Sequence, residues 1–168
     1  MVELELHRIS DSAIPAALEK ARQYRSLLEP EQAESICLDI LEVDPANNEA
    51  QIVLILAITD QLSNSGQKHD VKRVLVLVND LTDDYQRNYY HGLVCERRGR
   101  AMLNQSMARS FAYGYFHEAL HWYAQAEKIR PENNDDASLR WNACQRTIRR
   151  ERLTPRADRD ETHLDMES

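Results

Sequence analysis

Apolar residues recur along this chain mostly at the spacing of an α-helix. Ala33, Ile36, Cys37, Ile40 and Leu41 fall at i, i+3, i+4, i+7 and i+8, which is one helix face. Ala119, Trp122, Tyr123, Ala126 and Ile129 mark out another such face. Between them, Gln51–Leu62 is apolar on almost every side and predicts a helix central to the core. Ser63-Asn-Ser-Gly66 reads as a loop. Val71, Leu75 and Val78 then carry a helix that stops at Thr82-Asp-Asp84. A strand over Val74–Val78 is the alternative there, and the periodicity of its surroundings favours helix. A last stripe of Ala137, Trp141, Cys144 and Ile148 predicts a closing helix over 135–152. Only the N-terminus alternates, with Val2, Leu4 and Leu6 set against Glu3, Glu5 and His7. That predicts an extended arm, docked on the domain or on another copy. Residues 154–168 hold seven charged residues and one proline and predict a disordered tail. The expectation is an all-α protein: an arm over 1–12, a helical domain over 13–153 and a tail from 154.

Two of these helices repeat each other. Ala33 and Ala119 each precede a proline by twelve residues, and Pro45 and Pro131 are each followed by x-Asn-Asn. A repeat unit cannot bury its own face and has to stack on neighbours. The shared run, from alanine through large apolar residues to Pro-x-Asn, resembles the second helix of a tetratricopeptide repeat. Ala21 and Tyr24 lie twelve and nine residues before Ala33, where the family places a small residue and an aromatic one. The intervening Glu29-Pro30 breaks the helix, with proline at a first helical position. Ala17 stands where a larger residue is usual. Gly92, Cys95 and Gly99 fit the small residue, packing residue and turn glycine of a further unit.

The resemblance covers roughly residues 14–150. It implies a right-handed stack of about three antiparallel helix hairpins, closed by a C-terminal capping helix. One departure stands out. Gly99 precedes Ala119 by twenty residues, where the family allows five. The excess is about four helical turns. It predicts two lengthened helices with a break between Asn104 and Ser110. Met102, Leu103, Met107, Phe111, Tyr113, Tyr115 and Phe116 fall in or beside this insertion and predict packing or a docking surface.

The resemblance also implies a concave binding face on the inner helices. Its residues would be Leu18, Arg22 and Arg25, then Ile52, Leu56 and Thr59, then Tyr89, Leu93 and Arg97. Some members of the family clamp acidic peptide C-termini with lysines and asparagines. The central positions here are apolar, so a partner segment of apolar or amphipathic character fits better. The function implied is a non-enzymatic scaffold or adaptor for another protein. The alternatives are a zinc-dependent hydrolase and a homo-oligomeric structural subunit.

Composition narrows the classes further. The chain has 168 residues with four glycines and five prolines, too little punctuation for a β-sandwich or barrel. At 42% hydrophobic residues, disorder of the whole chain is excluded. The net charge of −7 hides two halves. Residues 1–84 hold 7 Lys/Arg against 16 Asp/Glu, and residues 85–153 hold 12 against 7. The acidic total argues against general nucleic-acid binding, and the basic rear leaves room for an acidic protein partner. Cys37, Cys95 and Cys144 are odd in number and widely spaced, which predicts small buried residues in a reducing compartment. The acidic N-terminus carries no apolar signal-peptide region, and the longest apolar run, Ile52–Ile58, falls short of a membrane span. A cytoplasmic location without membrane contact is the expectation.

One motif carries potential chemistry. His117-Glu118-Ala119-Leu120-His121 matches H-E-x-x-H, in which histidines at i and i+4 share a zinc and the glutamate acts as base. A catalytic zinc needs a third protein ligand. Glu127 lies six residues beyond His121, about 9 Å further along a helix axis. Ala119 is the repeat's packing residue, so both histidines fall on the opposite, solvated or groove-side face. A plain helix surface is therefore preferred, with no cofactor implied. Asp83-Asp84 and Asp135-Asp136 sit where helices start and suit capping.

Overall fold

The computed structural model describes residues 4–65 and 68–157, without the side chains of 64, 65, 68 and 69. The chain divides between Leu81 and Thr82 into two compact units. Among the described residues every regular element is helical. The valine-rich stretch 74–78 lies within a helix, as its periodicity predicts.

The first unit holds α1 (Ile14–Ser26), α2 (Pro30–Val43), α3 (Asn48–Asp60), the short α4 (Leu62–Ser65) and α5 (Lys68–Asp80). Prolines stand in the first turns of α1 and α2, where a missing N–H costs nothing. Leu28 closes α1 in the left-handed region at φ 61°. Its N–H donates to Arg25 and that of Glu29 donates to Tyr24, at 3.0 and 2.9 Å. That is the paired hydrogen bonding that ends a helix and turns the chain into the next. Asn47 starts α3 by accepting the Ala50 N–H at 2.9 Å. Helix α3 packs against α1, α2 and α5. Seven of its residues, from Ala50 to Thr59, are buried, which explains its apolar circumference. Leu4 and Leu6 of the arm are 90% and 93% exposed, so this part of the arm does not dock on its own domain. Val2 lies outside the described residues.

The second unit is α6 (Asp84–Leu103), a 3₁₀ turn at Arg109–Phe111, α7 (Ala112–Lys128) and α8 (Asp136–Arg150). The two lengthened helices and the break between them lie where the spacing places them. Helix α7 packs between α6 and α8. The α6–α7 contact is close because α6 offers glycines to the aromatic rings of α7. A Cβ at Gly92 would stand 2.7 Å from Cε1 of Tyr123, and one at Gly99 would stand 3.0 Å from the Phe116 ring. Both rings are fully buried.

Tyr123 carries this contact into a polar network. Its hydroxyl donates to Oε1 of Glu96 at 2.9 Å, and Glu96 is itself completely buried in the middle of α6. Arg100 Nε donates to the other carboxylate oxygen at 2.8 Å, and Arg140 of α8 approaches the same oxygen at 3.4 Å. The Cys144 thiol, also on α8, donates to Oε1 at 3.5 Å. One carboxylate thus ties α6, α7 and α8. All three cysteines are buried and unpaired. Burial pushes the Cys37 and Cys95 thiols up to about 12, and burial followed by the charge of Glu96 raises Cys144.

Helix α8 ends as α1 does. Arg152 takes φ 53°, its N–H donates to Arg149, and that of Leu153 donates to Ile148 at 3.0 Å. This turn sends the following residues back onto the unit. Leu153 packs on its core and Arg156 stacks over the Phe111 ring at 3.9 Å. The expected disorder therefore does not begin at 154. Residues 154–157 are described, and 158–168 lie outside the described residues.

Two stability predictions follow from this packing. Gly92→Ala should destabilise the protein by about 1–2 kcal/mol in chemical denaturation, because overpacking against Tyr123 outweighs the gain in helix propensity. An unchanged denaturation midpoint would show that the ring can move aside. Replacing Arg100 and Arg140 together by leucine strands a buried carboxylate and should cost about 3–5 kcal/mol. Glu96→Leu should cost less, about 1–3 kcal/mol, because both guanidinium groups reach water and only the Tyr123 hydroxyl and the weakly donating Cys144 thiol are stranded. The reverse order would show that the carboxylate is not the costly member of the network.

Candidate functional site

The residues expected to line a binding face fall in both units. In the first, Arg22 forms an ion pair with Glu49, and Arg25 grips Asp60 through Nε at 2.7 Å and Nη2 at 3.3 Å. These arginines therefore link α1 to α3. Ile52 and Leu56 are half-buried. Leu18 and Thr59 are buried, the Thr59 hydroxyl donating to the Leu56 carbonyl at 2.8 Å.

In the second unit Leu93 is 1% exposed. Leu18, Thr59 and Leu93 thus offer a partner no surface, which corrects their assignment to a binding face. The cause is that α3 and α6 bury more of their circumference than one stripe. Arg97 is half-buried on α6. Tyr89 packs between Tyr85 and Tyr90, with ring centroids 5.9 and 5.0 Å away, and all three border a cavity of about 220 Å³.

The H-E-x-x-H residues stand on the exposed side of α7, opposite buried Ala119. His117 stacks on Tyr113 with centroids 5.8 Å apart, and His121 meets Trp122 edge-on at 5.7 Å. Among the described residues no three His, Cys, Asp or Glu groups converge to hold a metal ion. On α6, His91 lies flat on Trp122, with centroids 4.5 Å apart.

Next to this face the unit opens into a cavity of about 590 Å³. Phe111, Tyr113 and Tyr115 supply aromatic walls, Glu118 and Gly114 come from α7, and Pro155 and Arg156 close it from the returning C-terminal segment. Arg98 of α6 stands 4.2 Å above the Tyr115 ring and donates to its hydroxyl at 2.7 Å. A second cavity of about 380 Å³ shares Ser110, Tyr113, Pro155 and Arg156 with the first, and adds Arg109, Glu151 and Arg152. Arg109 donates to the Glu151 carboxylate at 3.0 Å and to the Glu151 carbonyl at 3.1 Å. The hydrogen bonds of Arg109 and then Arg150 hold the Glu151 carboxyl below its usual pKa.

Gly114 differs from the glycines at the α6–α7 contact. A Cβ added to it would meet nothing within 4 Å. No packing demands glycine there, and inside a helix it costs about 1 kcal/mol relative to alanine. Its effect is to leave the cavity wall bare between two tyrosines. The aromatic insertion was legible in the sequence as packing or a docking surface, not as a solvated loop. Gly114, Arg98 and the 155–156 wall were not, and a glycine set inside a helical pattern between tyrosines was the available signal.

Comparison with known protein families, with curated proteins and with solved structures finds no match to this chain. No helix among the described residues is long and apolar enough to cross a membrane.

The face beside the cavity makes a titration prediction. Burial lowers the pKa of His91 from its ordinary 6.5, while the charge of Glu118 acts to raise it. An NMR titration should place His91 below 6.5, and Glu118→Gln should lower it further. Just below pH 6.5 the unfolded state then binds more protons than the folded one. The contribution of His91 to stability is complete above pH 6.5 and is lost as pH falls through the folded-state value. A midpoint above 6.5 would contradict burial as the dominant influence.

Proposed function

We propose that this chain is a protein-binding module, a scaffold or adaptor built from tetratricopeptide-like helix pairs, with its docking surface on the second unit. The observation that carries the reading is the aromatic cavity of about 590 Å³ whose wall is kept open by Gly114. Cavities of this size with aromatic walls and a few polar groups are where ligands and partner side chains bury. The helix-pair likeness is supported by the repeat's small positions. Ala21, Ala33, Ala119 and Ala126 are all 0% exposed at helix contacts. The hydrolase reading gains no support, since the two histidines of its motif engage aromatic neighbours and no third ligand converges on them among the described residues.

Affinity capture from the source cells tests the proposal. The full chain should retain a specific protein, identified by mass spectrometry, and Gly114→Leu should lose it while keeping its helical circular dichroism. Retention by both forms would place the docking surface elsewhere. Capture of nothing by the wild-type chain would count against an adaptor.

A further inference from the structure

We propose that the cavity beside the first turn of α6 binds the guanidinium group of an arginine side chain from a partner protein, the group lying on a tyrosine ring and reaching the carboxylates of Asp83 and Asp136. This site stands at the other end of the α6–α7 pair from the Gly114 cavity. It goes beyond the docking surface proposed above and does not depend on it.

The cavity, of about 220 Å³, opens where the first turn of α6 meets the turn between α7 and α8. Half-buried Tyr85, Tyr89 and Tyr90 give it an aromatic wall, and exposed Asp83 and Asp136 stand at its rim. Among the described residues none that lines it is a cation. The Tyr85 hydroxyl donates to Oδ1 of Asn134 at 3.3 Å, which holds the ring in place. The same oxygen accepts the Asp136 N–H at 3.0 Å. Asn134 thus satisfies the start of α8, and that N–H does not draw on the Asp136 carboxylate. Asp83 gives Oδ1 to the Gln86 N–H at 2.8 Å, and a carboxylate has a second oxygen to offer.

Arg87, Arg130 and Arg140, the arginines nearest along the chain, form ion pairs with Asp84, Asp135 and Glu96. These three pairs use neither Asp83 nor Asp136. Arg140 also donates to the Tyr89 hydroxyl. Burial raises the pKa of the Tyr85 and Tyr89 hydroxyls, and the charge of Asp136 acts on both in the same direction. That carboxylate is therefore close to both rings.

A negative rim beside aromatic faces selects a cation. Guanidinium fits it best, because its face can lie on a ring while the N–H donors in its plane reach two carboxylates. An ammonium is a compact point charge and more strongly hydrated. A quaternary ammonium has no N–H to donate and suits an aromatic cage. Tyr85 and Tyr89 stack on each other, with planes 22° apart and centroids at 5.9 Å, so they make one wall and not a cage. The unit already uses the same pairing internally, where Arg98 stands 4.2 Å above the Tyr115 ring.

The test is an NMR titration of the isotopically labelled full chain with acetyl-arginine amide. Saturable shifts are expected at the amides of residues 83–90 and 134–136, weakening as salt is raised. Acetyl-lysine amide and its trimethylated form should bind at least about threefold more weakly. Asp136→Asn should weaken arginine binding at least about threefold, and Tyr85→Leu about two- to fivefold. Asp135→Asn removes the same charge one residue away, from the pair with Arg130, and should leave binding within about twofold. Both aspartates are exposed, so both asparagine variants should keep the wild-type circular dichroism. The proposal is overturned if the wild-type chain gives no saturable shifts, or if Asp136→Asn binds as well. An equal loss in Asp135→Asn would reduce the effect to net charge and also overturn it. Tighter binding of the trimethylated lysine would overturn the guanidinium assignment. Tighter binding of free arginine would give the site to the amino acid and remove the partner protein.

Discussion

The approach of α6 to α7 across Gly92 is the contact on which the second unit depends. Because Gly92 has no side chain, the Tyr123 ring lies directly against the α6 backbone and is completely buried. From that position its hydroxyl reaches Glu96, and Glu96 in turn holds Arg140 and Cys144 of α8. The placement of α8 fixes the turn at Arg152, and that turn returns Leu153–Arg156 to form one wall of the aromatic cavity. A missing side chain in one helix thus governs a surface at the end of another.

A fully buried carboxylate is an unusual way to join three helices. Moving it from water costs several kcal/mol, and an apolar residue of similar volume often serves as well or better. What the carboxylate adds is direction. An apolar contact tolerates a helix sliding or rotating against its neighbour, whereas Glu96 is satisfied only when Tyr123, Arg100 and Arg140 arrive together. The network therefore selects one placement of α8, and the C-terminal cavity wall inherits that placement.

Arginine pairs with carboxylates in both units, and in the second it also meets aromatic rings. In the first unit Arg22, Arg25 and Arg73 lie on Glu49, Asp60 and Glu34, so part of the positive charge there is spent within the unit. In the second, Arg100 and Arg140 lie on Glu96 and Arg109 lies on Glu151, while Arg98 stands over the Tyr115 ring.

The sequence by itself determined the helices, the break between α6 and α7, the central place of α3 and the burial of the three cysteines. These are local matters, because periodicity, proline positions and capping residues act over one or two turns. It also marked the aromatic insertion as something other than a solvated loop. Only the tertiary structure decided which side of each helix was left exposed. Leu93 looked like a surface residue because one stripe was assumed, and α6 buries more than one. Glu96 gave no sign of burial, since a glutamate amid arginines reads as a solvated helix face until α7 and α8 enclose it. Arg156 belonged by composition to a disordered tail. A left-handed turn at Arg152, held by two backbone hydrogen bonds, carries it back to Phe111. Such contacts join residues more than forty positions apart, and no local pattern encodes them.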